Sequence, residues 1–153
     1  KGVPAGLGEP VFDRLDADLA KAMMSIPAVK GVEVGIGFGA ATMYGSECND
    51  PYTVKNKKIT TKTNNSGGIH GGISNGSDIV LRMVVKPTSS ISKSQNTVTT
   101  DGGKTEIRVE GRHDPCVGVR AGVTLESRMA IELMDAVLEH QSKRVDNTNF
   151  QLF

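Results

Sequence analysis

A lysine and three hydroxyl side chains stand close together in the segment KPTSS, at residues 86–90. Apolar residues alternate along residues 79–85 in a pattern typical of a β-strand, so we expect this segment to begin where a strand ends. An ammonium group and hydroxyls are the donors that suit a phosphate monoester. The sequence therefore predicts an anion-binding site at Lys86, Pro87, Thr88, Ser89 and Ser90.

Five glycines lie between residues 67 and 76, just before that strand. Because glycine has no side chain, its backbone N–H can approach an anion or a flat ring closely. The run differs from a nucleotide P-loop, since residues 67–76 contain no lysine, and GIGFG at residues 35–39 lacks the spacing of a dinucleotide fingerprint. The residues alone leave two readings open, a flexible turn and a ligand-binding loop.

A second charged segment is RHDPC, at residues 112–116. Pro115 disfavours helical geometry at Asp114, and side chains two apart in an extended chain point the same way, so we expect Arg112 and Asp114 to share a side. An ordinary ion pair and a role in a site are both compatible with that. Arg120 is a further candidate for anion contact, with a structural salt bridge as the alternative. His70, His113 and Cys116 lack the second close pair that a zinc site needs, and we predict no metal.

Periodicity predicts the elements that position these groups. We expect helices at residues 10–24 and 125–140, the second with Thr124 as its N-cap, and strands near residues 29–38, 78–86 and 105–111. Residues 57–62 are predicted to form a short exposed strand, and residues 88–103 a long loop. The predicted fold class is α+β, with the two helices adjacent and layered against an antiparallel sheet of three strands.

Composition bounds the function. The chain has 153 residues, enough for one domain with a core, and its 18 basic and 17 acidic side chains argue against a nucleic-acid partner. The absence of a long apolar run argues against a membrane partner, and two distant cysteines, Cys48 and Cys116, favour a cytoplasmic location. The chain opens with Lys1 rather than methionine, so we expect it to be part of a longer polypeptide. Residues 145–153 have no pattern and are predicted to be an unstructured tail.

Four blocks carry a resemblance to a known family: GLGEPVF at residues 6–12, SIPAVKG at 25–31, GGISNG at 71–76 together with KPTSS, and GRHDPC at 111–116. In these blocks the chain resembles the C-terminal portion of the chorismate synthases. The resemblance implies that residues 1–144 are the FMN-binding portion of a chain more than twice as long, folded as part of a β-α-β sandwich. It implies flavin contacts from Pro27, Ala28, Gly71, Lys86, Pro87, Thr88, Ser89, Ser90 and Arg112.

The same resemblance implies a reaction and its partners. Chorismate synthases are carbon–oxygen lyases that eliminate phosphate from 5-enolpyruvylshikimate 3-phosphate, with reduced FMN as cofactor and, in some members, NADPH as its reductant. By resemblance Asp114 handles the proton at the flavin N5. The implied protein partners are the missing N-terminal half of the enzyme and further copies in a homotetramer. The alternative is a folded, non-catalytic module that does not bind flavin by itself.

Overall fold

The first helix begins later than its sequence pattern predicts. A computed structural model describes residues 1–144, and in it α1 spans Leu15–Met24. Residues 10–13 form a turn instead, because paired backbone hydrogen bonds of 2.8 and 3.0 Å join Glu9 and Asp13. The turn leaves the Phe12 side chain 90% exposed, so this residue takes no part in the apolar stripe.

The apolar stripe of α1 is nevertheless the one that helical spacing predicts. It consists of four buried residues, Leu15, Leu19, Ala22 and Met23. The helix packs on one side against the last helix and on another against the first strand. It therefore lies at the centre of the described part of the molecule.

The last helix, α3, is longer than predicted. It spans Gly118–Ser142, so Thr124 lies inside it and the predicted N-cap is wrong. Pro115 disfavours helical geometry in the residue before it, and the helix starts three residues after this proline. Ala121, Leu125 and Val137 are its buried residues. The expected contact between the first and last helices is confirmed.

Two strands form the sheet that covers α1. β1 (Val29–Val34) and β6 (Leu81–Val85) run antiparallel, with Val29 opposite Val85 and Val34 opposite Leu81. The prediction of a strand up to residue 38 is wrong at its end. Gly35 and Gly37 have φ values of +58° and +57°, which turn the chain into a 3₁₀ helix at Gly37–Thr42.

The third predicted strand does not join this sheet. β8 (Lys104–Ile107) pairs with β7 (Gln95–Val98) in a separate hairpin, and β7 lies within the stretch expected to be a loop. The short strand expected at residues 57–62 is confirmed as β3 (Lys58–Thr61), which pairs with β2 (Tyr52–Lys55). A four-residue helix, α2 (Gly45–Cys48), precedes that hairpin.

The remaining strands form a very short hairpin, β4 (Ile69–His70) and β5 (Ile73–Ser74). Two apolar clusters hold the elements together. One comprises Leu7, Leu15, Leu19, Ile69, Ile79 and Val137, and the other Ala22, Met23, Ile26, Val29, Ala121 and Leu125.

These helices and small antiparallel sheets confirm the α+β class. Within residues 1–144 no helix combines the length and the apolar character needed to cross a membrane. The predicted tail, residues 145–153, lies outside the described residues.

Candidate functional site

The end of β6 meets the loop that follows α1. The Lys86 N–H donates a hydrogen bond of 2.8 Å to the Ala28 carbonyl. This contact follows from the register, because Val29 pairs with Val85 and the residues beyond that pair stay side by side. Ala28 has a φ of +72°, an uncommon conformation for a residue with a side chain. Pro27 and Ala28 therefore lie beside Lys86, as the sequence blocks require if they share a ligand.

The segment before α3 joins the same corner. The Thr88 hydroxyl donates a hydrogen bond of 2.9 Å to the Asp114 carbonyl. The start of α3 lies against the end of β6, since a Cβ added to Gly118 would stand 3.8 Å from the Val85 Cβ. Three sequence blocks thus converge, and we call them the Lys86 cluster: Pro27, Ala28, Lys86, Pro87, Thr88, Ser89, Ser90, Arg112 and Asp114.

The ion pair in the Lys86 cluster involves Arg120, for which a structural salt bridge was the alternative to anion contact. Asp114 pairs with Arg120 at 3.3 Å rather than with Arg112, and the Asp114 side chain is 38% exposed. Among residues 1–144, no ion pair engages Lys86 or Arg112. Two cations and the exposed hydroxyls of Ser89 and Ser90 are left facing solvent, and this donor set suits a phosphate group.

Gly71 lies apart from the Lys86 cluster. It occupies the tight turn between β4 and β5, next to Gly72, whose carbonyl accepts a 2.9 Å hydrogen bond from the Leu15 N–H. That places the turn at the start of α1, whereas Ala28 follows the end of α1. A helix of ten residues is about 15 Å long. Of the predicted flavin contacts, Gly71 is the one that the fold separates from the others.

The other glycines of residues 67–76 have packing roles that the sequence did not reveal. A Cβ added at Gly67 would meet the Gly35 backbone, and one added at Gly68 would meet the Asp78 backbone. A Cβ added at Gly72 would meet the Arg14 side chain. At Gly71 an added Cβ would meet nothing within 4 Å. Most of the run therefore allows close backbone packing, and Gly71 presents bare backbone to open space.

A second polar cluster surrounds Asp50, and we call Asp50, Tyr52 and His70 the Asp50 cluster. The Asp50 side chain is 0% exposed, and His70 Nε2 lies 3.4 Å from its Oδ2 atom. On the other side of the ring, His70 Nδ1 lies 3.1 Å from the Tyr52 hydroxyl. The two rings meet edge to face, with centroids 6.0 Å apart. Sequence reasoning considered His70 only as a zinc ligand and missed this arrangement.

Hydrogen bonds keep the Asp50 carboxylate charged. It accepts from the Thr63 hydroxyl (2.7 Å) and from the backbone N–H groups of Asn65 (2.7 Å) and Ser66 (2.8 Å). Burial raises the pKa of Asp50, but these hydrogen bonds outweigh burial and hold the pKa well below its usual value. Among the residues that the structure describes, no group of three His, Cys, Asp or Glu side chains is placed to hold a metal ion.

Known proteins are similar to this chain over most of its length. The family model for chorismate synthase matches residues 1–138. The chorismate synthase of Methanosarcina barkeri is 60% identical over 139 residues, which are 90% of this chain and 38% of that protein. That of Opitutus terrae is 55% identical over 135 residues, 88% of this chain and 37% of that protein.

A solved structure agrees with the sequence relatives. A crystal structure of chorismate synthase superimposes with a TM-score of 0.71 at 36% identity, covering 92% of this chain and 35% of that one. The chain spans less than two fifths of the length of these curated relatives.

Proposed function

The chain belongs to the chorismate synthase family, and from that premise we propose that residues 1–144 are the C-terminal, FMN-binding portion of a chorismate synthase. The complete enzyme would be a carbon–oxygen lyase that eliminates phosphate from 5-enolpyruvylshikimate 3-phosphate to give chorismate. This reaction closes the shikimate pathway of aromatic amino acid biosynthesis. The observation that carries the proposal is the Lys86 cluster, in which three separate sequence blocks meet around unpaired cations.

The Lys86 cluster fits the phosphate end of FMN. Lys86 and Arg112 carry positive charge, Ser89 and Ser90 expose hydroxyls, and Thr88 holds this segment to the chain before α3. Charge-assisted hydrogen bonds to phosphate oxygens are shorter and about twice as strong as neutral ones. Pro27 and Ala28 leave room for a flat ring, since a short side chain and an exposed proline permit close contact. Pro87 fixes the backbone between Lys86 and Thr88.

Asp114 is the proposed proton-handling residue. When bound, reduced FMN would supply an electron-rich ring that assists phosphate departure, and the Asp114 carboxylate would accept or hold the proton released beside it. The Arg120 guanidinium, 3.3 Å away, orients the Asp114 carboxylate. The other task of the chain is to hold cofactor and substrate face to face, which lowers the entropic part of the barrier.

The rest of the enzyme is the proposed partner of α3. This helix exposes an apolar face to solvent, comprising Val119, Val123, Ile131, Met134 and Leu138. An apolar patch of this kind on one side of a long helix usually marks an interaction surface. We propose that the missing N-terminal half covers it, and that the complete enzyme is a cytoplasmic homotetramer whose reduced FMN comes from NADPH or from an outside source.

The alternative is a folded module that binds no flavin alone, and one observation favours it. We assign Gly71 to FMN as well, and it lies at the opposite end of α1 from the Lys86 cluster, so the described residues leave a gap between these contacts that further parts of the enzyme would fill. The substrate carries several negative charges, and Lys86, Arg112 and Arg120 are already assigned to flavin or to Asp114. We therefore expect the 153-residue chain alone to produce no chorismate.

Two proteins test the proposal. The first is the 153-residue chain, and the second is a chimera that joins this chain to the part of the Methanosarcina barkeri enzyme that it does not match. Each is titrated with FMN, followed by flavin absorbance, and assayed for chorismate with reduced FMN. We expect flavin binding and turnover by the chimera. Flavin binding by the short chain favours the FMN-binding portion, and no flavin binding by the short chain favours the non-catalytic module. A folded chimera without flavin binding or turnover would contradict the proposed function.

A further inference from the structure

The Asp50 cluster contains a buried, charged side chain that the proposed chemistry does not use. The carboxylate accepts three hydrogen bonds from residues 63–66, and His70 Nε2 lies near it as a fourth donor. A buried charge is tolerated only when its hydrogen bonds are satisfied, so this site fixes the ring nitrogen nearest to it as the one that carries hydrogen. The His70 tautomer therefore follows from Asp50.

The other nitrogen of His70 is held as well. With hydrogen on Nε2, Nδ1 is an acceptor, and the Tyr52 hydroxyl (3.1 Å) and the Asn75 side-chain amide (3.4 Å) are its donors. Both ring nitrogens are thus engaged, and the imidazole plane is locked although the side chain is 30% exposed. Tyr52 belongs to the β2–β3 hairpin, so the ring also ties that hairpin to β4.

His70 immediately precedes Gly71. We call residues 70–73 the Gly71 turn, and its two glycines do little by themselves to restrain its conformation. Gly71 and Gly72 have φ values of +59° and +86°, which glycine adopts freely but does not enforce. A Cβ at Gly71 would touch nothing, so packing does not restrain it either. The restraints must come from the two ends of the turn.

The far end of the turn is pinned by backbone and side-chain hydrogen bonds. The Leu15 N–H donates to the Gly72 carbonyl (2.9 Å), and the Ser74 hydroxyl donates to the Pro4 carbonyl (2.7 Å) while accepting from the Leu7 N–H (2.9 Å). At the near end the corresponding side-chain anchor is the His70 ring. The two anchors differ in kind, because the Ser74 anchor is buried in the core and the His70 anchor is partly open to solvent.

We propose that His70 is a positioning residue for the cofactor: clamped between Asp50 and Tyr52, it holds the Gly71 turn in the conformation that receives the flat, anionic flavin. This inference rests on the proposed function, which assigns Gly71 to FMN. A free glycine turn must be ordered when a ligand binds, and that ordering weakens binding. A turn that is already ordered avoids this cost, so His70 acts on affinity and leaves the chemical step to Asp114.

A purely structural His70 would behave differently. If the ring only joined the β2–β3 hairpin to β4, its loss would lower thermal stability and leave the affinity for FMN unchanged. If it positions the turn, its loss weakens FMN binding, and kcat at saturating FMN stays close to that of the parent. The affinity and kcat therefore separate the two roles.

The experiment uses the chimera described above and two variants, His70→Leu and Tyr52→Phe, with Tyr44→Phe as the matched control. Tyr44 is an exposed tyrosine outside the Asp50 cluster. The dissociation constant for FMN is measured by absorbance titration, together with kcat at saturating FMN and the melting temperature without FMN. We expect the dissociation constant to rise about tenfold in His70→Leu and several-fold in Tyr52→Phe, with kcat changed less than threefold and Tyr44→Phe like the parent. His70→Gln, which keeps a donor for Asp50, should recover part of the affinity.

Other results would contradict the positioning role of His70. An unchanged dissociation constant in folded His70→Leu, with or without a lower melting temperature, refutes it and leaves the proposed function intact. If His70→Leu does not fold, Tyr52→Phe decides alone, because it removes one hydroxyl and keeps the ring. A parent chimera that binds no FMN refutes both the proposed function and the positioning role.

Discussion

Arg112 and Asp114 have different surroundings although they are two residues apart. Arg112 enters no ion pair among residues 1–144, while Asp114 is held 3.3 Å from Arg120. A cation without a partner is available to a ligand, and a carboxylate oriented by a neighbouring guanidinium is suited to accept a proton. These surroundings fit the proposed division of roles, with Arg112 binding the cofactor and Asp114 handling a proton.

Replacing Asp114 with asparagine in the complete enzyme tests this separation. General acid–base groups contribute on the order of 100-fold or more to rate, so we expect Asp114→Asn to lower kcat by about that factor. The dissociation constant for FMN should change little, because the amide keeps the size of the side chain. Arg112→Gln should show the opposite pattern, with weaker FMN binding and a smaller loss of kcat at saturation. An Asp114→Asn enzyme of normal rate would remove this residue from the chemistry.

Asp50 contributes a pH-dependent part of stability. Because its pKa is depressed in the folded state, its contribution to the free energy of unfolding is present above the unfolded pKa of about 3.9 and is lost as pH falls. Asp50→Asn replaces one acceptor by a donor that faces backbone N–H groups, which should lower stability at pH 7 by about 2 kcal/mol or more.

Denaturation of the two proteins at several pH values measures that contribution. We expect the difference in stability between parent and Asp50→Asn to narrow as the pH falls below about 4, where the carboxylate of the unfolded chain is protonated. Asp78→Asn, at an exposed position, should stay within about 0.5 kcal/mol of the parent at each pH. A stability difference between parent and Asp50→Asn that does not change with pH would contradict the depressed pKa of Asp50.

At the level of elements, Gly67 and Gly122 have different structural roles. Gly67 has a φ of +63° and its Cα faces the Gly35 backbone, so an added methyl group would collide there. Gly122 lies inside α3 with nothing within 4 Å of an added Cβ. The first glycine permits a close approach of two chain segments, whereas the second only weakens a helix.

The two alanine substitutions should therefore have opposite signs. Gly122→Ala should stabilise the 153-residue chain by about 0.5–1 kcal/mol, because glycine in a helix interior costs that much relative to alanine. Gly67→Ala should destabilise it by more than about 1 kcal/mol. Chemical denaturation of both variants measures the difference. Equal effects would show that the close packing of Gly67 on Gly35 is not needed.

Local patterns predicted some of these elements and not others. Periodic apolar residues predicted α1 and α3, since each buries one side of a helix. Only the family resemblance brought the KPTSS and RHDPC blocks to one ligand, and the Thr88–Asp114 hydrogen bond places them side by side. The partner of β8 was missed because hairpin pairing depends on β7, whose residues are all exposed and carry no apolar alternation. The Asp50 cluster was missed because residues 50, 52 and 70 have no characteristic spacing and meet only through the tertiary fold.

For the whole molecule, the main feature is that α3 buries one side and exposes another. Leu125 and Val137 lie in the core, whereas Ile131 is 62% exposed and Val119 is 82% exposed. In the described chain, α3 is therefore packed on one side and has an exposed apolar face on the other. The proposed cover of this face is the rest of the enzyme, since the chain spans less than two fifths of the length of these curated relatives.

Ile131→Lys should therefore have different effects in the short chain and in the complete enzyme. In the 153-residue chain this side chain already faces solvent, so the free energy of unfolding should stay within about 0.5 kcal/mol of the parent. In the chimera the same lysine would lie in a covered apolar face, and removing its charge from water should cost about 2 kcal/mol or more and reduce the yield of active enzyme. Denaturation of the same substitution in both proteins makes each the control for the other. Equal stability losses in the two would place the cover of α3 elsewhere, because a face that the rest of the enzyme covers cannot tolerate a charge there as well as a face in water does.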